Sequence, residues 1–97
     1  EMNYSIEWSD EAETTYIKIL FYLEEKWTIR EVRNFMARTE EVLSFIDKNP
    51  GIYPHSEKQN IHRAVVTSQV SLYYEVHERK IILLSFSDNR QDPDKKF

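Results

Sequence analysis

The chain has no cysteine, which excludes a disulfide framework and any thiolate metal site. Glycine occurs once, at Gly51, so a glycine-rich phosphate loop cannot be built. Proline is confined to Pro50, Pro54 and Pro93, and there are no repeats, linkers or low-complexity segments. No apolar run approaches the roughly 20 residues of a membrane span, and no signal-peptide pattern opens the chain. These absences fit a cytoplasmic protein with no membrane partner. An excess of basic charge is also missing. The formal net charge is −4, a poor match to nonspecific nucleic-acid binding, which needs a cationic footprint. No Ser/His/Asp order, acidic pair or Cys/His cluster stands out, and no two histidines have metal-ligand spacing. Neither a metal nor another cofactor is expected.

What is there is unevenly distributed. Residues 1–49 hold eleven acidic and six basic side chains, a net of −5. Residues 50–97 hold six acidic and seven basic side chains, a net of +1, together with all three histidines. A local anion site therefore belongs in the second half. The length of 97 residues suits one domain with one core. Glu1 ahead of Met2 reads as an added residue, so a single domain over residues 2–97 is expected.

Tyr4, Ile6 and Trp8 alternate with polar neighbours, the period of a half-buried strand. Ser9-Asp10 then offers side-chain oxygens for a helix cap, and Asp10 with Glu13 fits capping-box spacing. Ala12, Tyr16, Ile19, Leu20, Leu23 and Trp27 recur at helical spacing, predicting an amphipathic helix over 10–26. Ile17 and Phe21 fall off that stripe as a second apolar edge, either buried more widely or exposed for a partner. A second capping box, Thr28 with Glu31 and a Trp27–Val32 staple, predicts a new helix from Thr28. Its inward stripe is Val32, Phe35, Met36, Thr39, Val42, Leu43 and Ile46, and Asn49-Pro50-Gly51 ends it. The short link makes the two an antiparallel pair.

A polar loop over 52–60 precedes three predicted strands at His62–Val66, Val70–His77 and Ile81–Ser87. In the second of these, Val70, Leu72, Tyr74 and Val76 share one face, and Ser71, Tyr73, Glu75 and His77 the other. The helices need a cover, and only the sheet can supply it. The expected fold is α+β: a helical hairpin packed on one face of a mostly antiparallel four-stranded sheet, in the order β-α-α-β-β-β. The opposite face is open to a partner or substrate.

The candidate site residues cluster around that face. Arg63 is either a cation that holds a phosphate or a strand arginine paired with a carboxylate such as Glu75. Arg90, just beyond the last strand, is either a second clamp or a tail residue bonded to Asp88 or Asp92. His62, His77 and His55 titrate near neutrality and are candidates for acid–base work. Of Tyr73 and Tyr74, one belongs to the core, and the other is placed to stack on a base or line a groove. Lys58 in the loop and Lys95 in the tail add candidate substrate contacts.

The order and spacing of these pieces resemble the RelE/ParE toxins of bacterial type II toxin–antitoxin systems. The likeness covers residues 3–95. It rests on Tyr4-Ser5-Ile6-Glu7-Trp8-Ser9 before Ala12, on Tyr22-Leu23-Glu24-Glu25-Lys26-Trp27, and on Asn49-Pro50-Gly51 with Pro54. Ile61-His62-Arg63-Ala64-Val65-Val66, Leu72-Tyr73-Tyr74-Glu75-Val76 and the closing Phe86-Ser87-Asp88-Asn89-Arg90-Gln91-Asp92-Pro93 complete it. The resemblance implies a growth-inhibiting toxin held in a hetero-oligomer with a cognate antitoxin. The cellular target would be the ribosome with its mRNA or DNA gyrase. RelE-like members are metal-independent endoribonucleases that drive a ribose 2′-OH onto the neighbouring phosphate. ParE-like members bind gyrase and cut nothing. Arg63 and Arg90 match phosphate-contacting arginines of the nuclease members, with His62 or His77 as acid or base. The tail ends in Lys95-Lys96-Phe97 where nuclease members often carry a tyrosine. That difference leaves the gyrase reading open, as well as a degenerate toxin that only binds its antitoxin.

Overall fold

A computed structural model describes residues 4–56 and 60–88. The elements follow the predicted order: β1 (Ser5–Trp8), α1 (Asp10–Lys26), α2 (Ile29–Lys48), β2 (His62–Val65), β3 (Val70–His77) and β4 (Lys80–Asp88). They form one four-stranded sheet in the order β1-β4-β3-β2. The β2–β3 and β3–β4 pairings are antiparallel, while β1 lies parallel to β4.

The period-2 pattern sorts the strands cleanly. Ile6, Trp8, Ala64, Leu72, Tyr74, Ile81, Leu83 and Phe86 turn toward the helices and pack with Ala12, Ile19, Leu23, Phe35, Val42 and Ile46. An aromatic knot binds the layers. The Phe86 ring lies 5.6 Å from Trp8, 5.1 Å from Tyr16 and 6.3 Å from Phe35, so β1, α1, α2 and β4 meet at one side chain. A register shift between Tyr73 and Tyr74 leaves Leu84 as the extra residue of a bulge in β4.

Ser9 ties that bulge to the first helix. Its hydroxyl donates to the Leu84 carbonyl (3.0 Å) and accepts from the Ala12 N–H (3.0 Å), while its own N–H donates to Leu83 O (3.1 Å). Ser9 is thus the N-cap, and the Asp10/Glu13 capping box is not used. Thr15 adds a second tie, accepting from the Phe86 N–H (2.9 Å).

Other details differ from the expectation. Thr28 does precede α2, but its side chain makes no capping bond, and its carbonyl accepts from Glu31 N–H instead. Trp27 is 50% exposed, so it does not act as a buried staple. Met36 (44% exposed) leaves the inward stripe, because two helices on one sheet face bury a narrower band than the heptad count suggests. Gly51 has no positive φ; among the described residues the left-handed positions are Asn60 and Glu78, each at φ 56°. Ser9→Ala removes both a cap and the partner of a bulge carbonyl. It should cost about 1–2 kcal/mol, read as a lower urea midpoint with an unchanged slope.

Candidate functional site

The strand period places Arg63 and Val65 on the sheet face away from the helices, while His62 and Ala64 turn inward. Arg63 lies directly across from Tyr73, which lies across from Ser85 on β4. The neighbouring row is Val65, Ser71 and Ser87. The Arg63 Nε donates to the Ser71 hydroxyl at 3.0 Å, which restrains the plane of the guanidinium on an exposed side chain. Among the described residues Arg63 forms no salt bridge. Glu75, weighed as its partner, instead meets His77 Nε2 at 2.8 Å.

The ground around Arg63 is small and polar. Ser71, Tyr73, Ser85 and Ser87 are all under 10% exposed. The Ser85 hydroxyl is buried with no hydrogen-bond partner among the described residues, an unmet polar group beside the tyrosine. At the far end of the face Lys80 meets Glu7 at 3.3 Å, and His77 stands opposite Lys80. That end is charge-balanced. The chemistry available on this face is recognition of an anion by a fixed guanidinium fork, flanked by hydroxyls.

His62 does not belong to it. The imidazole is only 7% exposed and stacks on the Tyr74 ring at 4.8 Å, on the helix side of the sheet. Its Nδ1 meets the Tyr53 carbonyl at 2.8 Å. As a neighbour of Arg63 in sequence, His62 points the opposite way, so the structure does not bring the two together on one face of the sheet. His77 shares the Arg63 face but sits four residues from Tyr73 along β3, about 13 Å away at strand rise. Arg90, Lys58 and Lys95 lie outside the described residues. β4, the last described element, is separated from β2 by β3. Ile17 (48% exposed) and Phe21 (63% exposed) form an outward apolar pair one turn apart on α1.

No protein-family model matches the sequence, and no curated protein is similar to it. Solved structures are informative. A chain of the chromosomal ParDE toxin–antitoxin system from P. aeruginosa superposes with a TM-score of 0.72 at 15% identity, over 88% of this chain and 95% of that one. A chain of the RelBE2 toxin–antitoxin complex from Mycobacterium tuberculosis gives 0.64 at 12% identity, over 90% and 99%. The YoeB dimer from Staphylococcus aureus gives 0.64 at 17%, over 89% and 97%.

The chain has the fold of the RelE/ParE toxins.

Within that fold, three contacts had no signal in the sequence. Tyr74 Oη donates to the Pro50 carbonyl (2.6 Å), Arg38 Nε donates to the Val66 carbonyl (3.0 Å), and His55 forms a β-bridge to His62. The first two join residues far apart along the chain by side-chain reach and the third is a backbone bridge across a loop, none of which periodicity encodes. Burial, with the Tyr53 phenol adding to it, pushes the Tyr74 phenol far above its ordinary value. Below about pH 10 that phenol is neutral whether the chain is folded or not; above it only the unfolded form ionises, so stability falls as pH rises. Tyr74→Phe should lose about 1–3 kcal/mol at neutral pH through the orphaned Pro50 carbonyl. It should also flatten the decline above pH 10, both measured by urea unfolding across pH.

Proposed function

We propose that this chain is the toxin component of a toxin–antitoxin system, inhibiting growth through the sheet face that carries Arg63. The observation that carries the reading is Arg63 itself: a guanidinium held by Ser71, without an ion pair among the described residues, on a face the core does not use. The toxin fold supplies the context, and the neighbouring structures include toxin–antitoxin complexes.

Between the two activities suggested by the resemblance, the chemistry near Arg63 favours binding over cutting. Phosphodiester cleavage by a 2′-OH needs an acid or base within reach of the reacting atoms. His62 is turned into the core and His77 is at the far end of β3. No histidine or tyrosine follows His77 in the sequence. The reading is therefore a ParE-like, noncatalytic inhibitor of DNA gyrase, with ribosome-dependent mRNA cleavage as the second reading, favoured by an Arg63 guanidinium that has no ion pair among the described residues. Ile17 and Phe21 are assigned to the antitoxin, since an exposed apolar pair at helical spacing suits a partner segment that covers the toxin.

Arg63→Ala should abolish growth inhibition while changing unfolding free energy by less than about 0.5 kcal/mol, because the side chain is exposed; full toxicity of the folded variant would refute the assignment. Ile17→Asp combined with Phe21→Asp should leave toxicity intact yet weaken antitoxin binding by at least about tenfold, measured by calorimetry and by loss of rescue in cells that coexpress the antitoxin.

A further inference from the structure

The loop after α2 folds back on β2 and brings two histidines together. His55 and His62 are direct partners in an antiparallel β-bridge, so their side chains leave the ribbon on the same side. Their ring centres are 4.9 Å apart, with the planes inclined by 43°. Metal–nitrogen bonds of about 2.0–2.1 Å place two imidazoles on one ion with ring centres roughly 4.5–5.2 Å apart, for angles between square-planar and tetrahedral. The observed spacing falls in that range.

The His62 ring is also prepared in the manner of a metal ligand. Its Nδ1 meets the Tyr53 carbonyl at 2.8 Å, the contact that fixes a tautomer with the proton on Nδ1 and the lone pair on Nε2. Stacking on Tyr74 at an interplanar angle of 12° holds the ring plane, and Tyr74 is itself held by Pro50. One ligand is thus rigid and nearly buried, and the other, His55, is exposed and free to adjust.

We propose that His55 and His62 chelate one divalent transition-metal ion of borderline softness, copper or zinc. The ion takes one nitrogen from each ring and completes its shell with water, because no group of three or more His, Cys, Asp or Glu able to hold a metal exists among the described residues. Copper(II) binds more tightly than zinc, as nitrogen ligands dictate. The bound ion staples the loop to β2 one residue from Arg63, whose own N–H already donates to the Pro54 carbonyl in that loop (3.1 Å). This inference does not depend on the toxin reading.

The test is calorimetric titration of the full chain with Cu²⁺ and with Zn²⁺, alongside electron paramagnetic resonance of the copper form. One ion per chain is expected, with two imidazole nitrogens coupled to the copper. His55→Gln, at an exposed position that folding does not need, should weaken binding at least tenfold. His77→Gln, which alters the third histidine, should leave binding unchanged. His62→Gln serves as a second variant where circular dichroism shows it folded. Absence of saturable binding, a single coupled nitrogen, undiminished binding by His55→Gln, or loss of binding in His77→Gln would each overturn the site.

Discussion

The burial of β4 is the constraint on which the rest of the molecule depends. Its residues Ile81 to Phe86 are mostly apolar and cannot face water, so the strand must be flanked on both edges and covered. β3 takes one edge by a two-residue turn. The other is closed by β1, brought from the far end of the chain as a parallel neighbour. The helical hairpin between β1 and β2 then has one place to rest, over Leu83 and Phe86. Ser9 and Thr15 hold it there by bonding to the backbone of Leu84 and Phe86. Short polar hooks at the start of α1 thus set the helix against the bulge, and the aromatic knot around Phe86 fills the space between.

Much of this was legible in the order of periods along the chain. The strand-like alternation at Tyr4–Trp8, two helical stripes broken at Thr28, and three strands after Asn60 correspond to the observed elements within a residue or two. The sequence misled where one residue type serves two ends. Thr28-Glu31 has the letters of a capping box, but the bond forms between backbone atoms. Ser9, rather than Asp10, takes the first cap because only Ser9 is adjacent to the bulge. Trp27 and Met36 fit the stripes by count but lie beyond the band that a flat cover can bury. The parallel position of β1 is a long-range pairing, to which local patterns are blind.

The site was legible in part. The period of β2 decides that His62 and Arg63 face opposite ways, so a histidine–arginine pair that is adjacent in sequence is split by the sheet. That geometry separates two kinds of work. His62 joins Tyr74, Pro50 and Tyr53 in fixing the loop to the sheet, while Arg63 faces the other way, its Nε donating to Ser71 and its guanidinium without an ion pair among the described residues. Many functions can be grafted on one fold, so the proposal rests on a guanidinium without an ion pair among the described residues, and on the hydroxyls beside it, more than on architecture. The histidine bridge was invisible because six residues separate its members, and their pairing is made by the backbone across a loop.

The most direct test is induced expression of the unmodified chain in bacteria lacking an antitoxin, following growth, chromosome integrity and mRNA integrity together. The account predicts growth arrest with broken chromosomes and intact mRNA. Unimpaired growth in cells that accumulate the folded protein would contradict it.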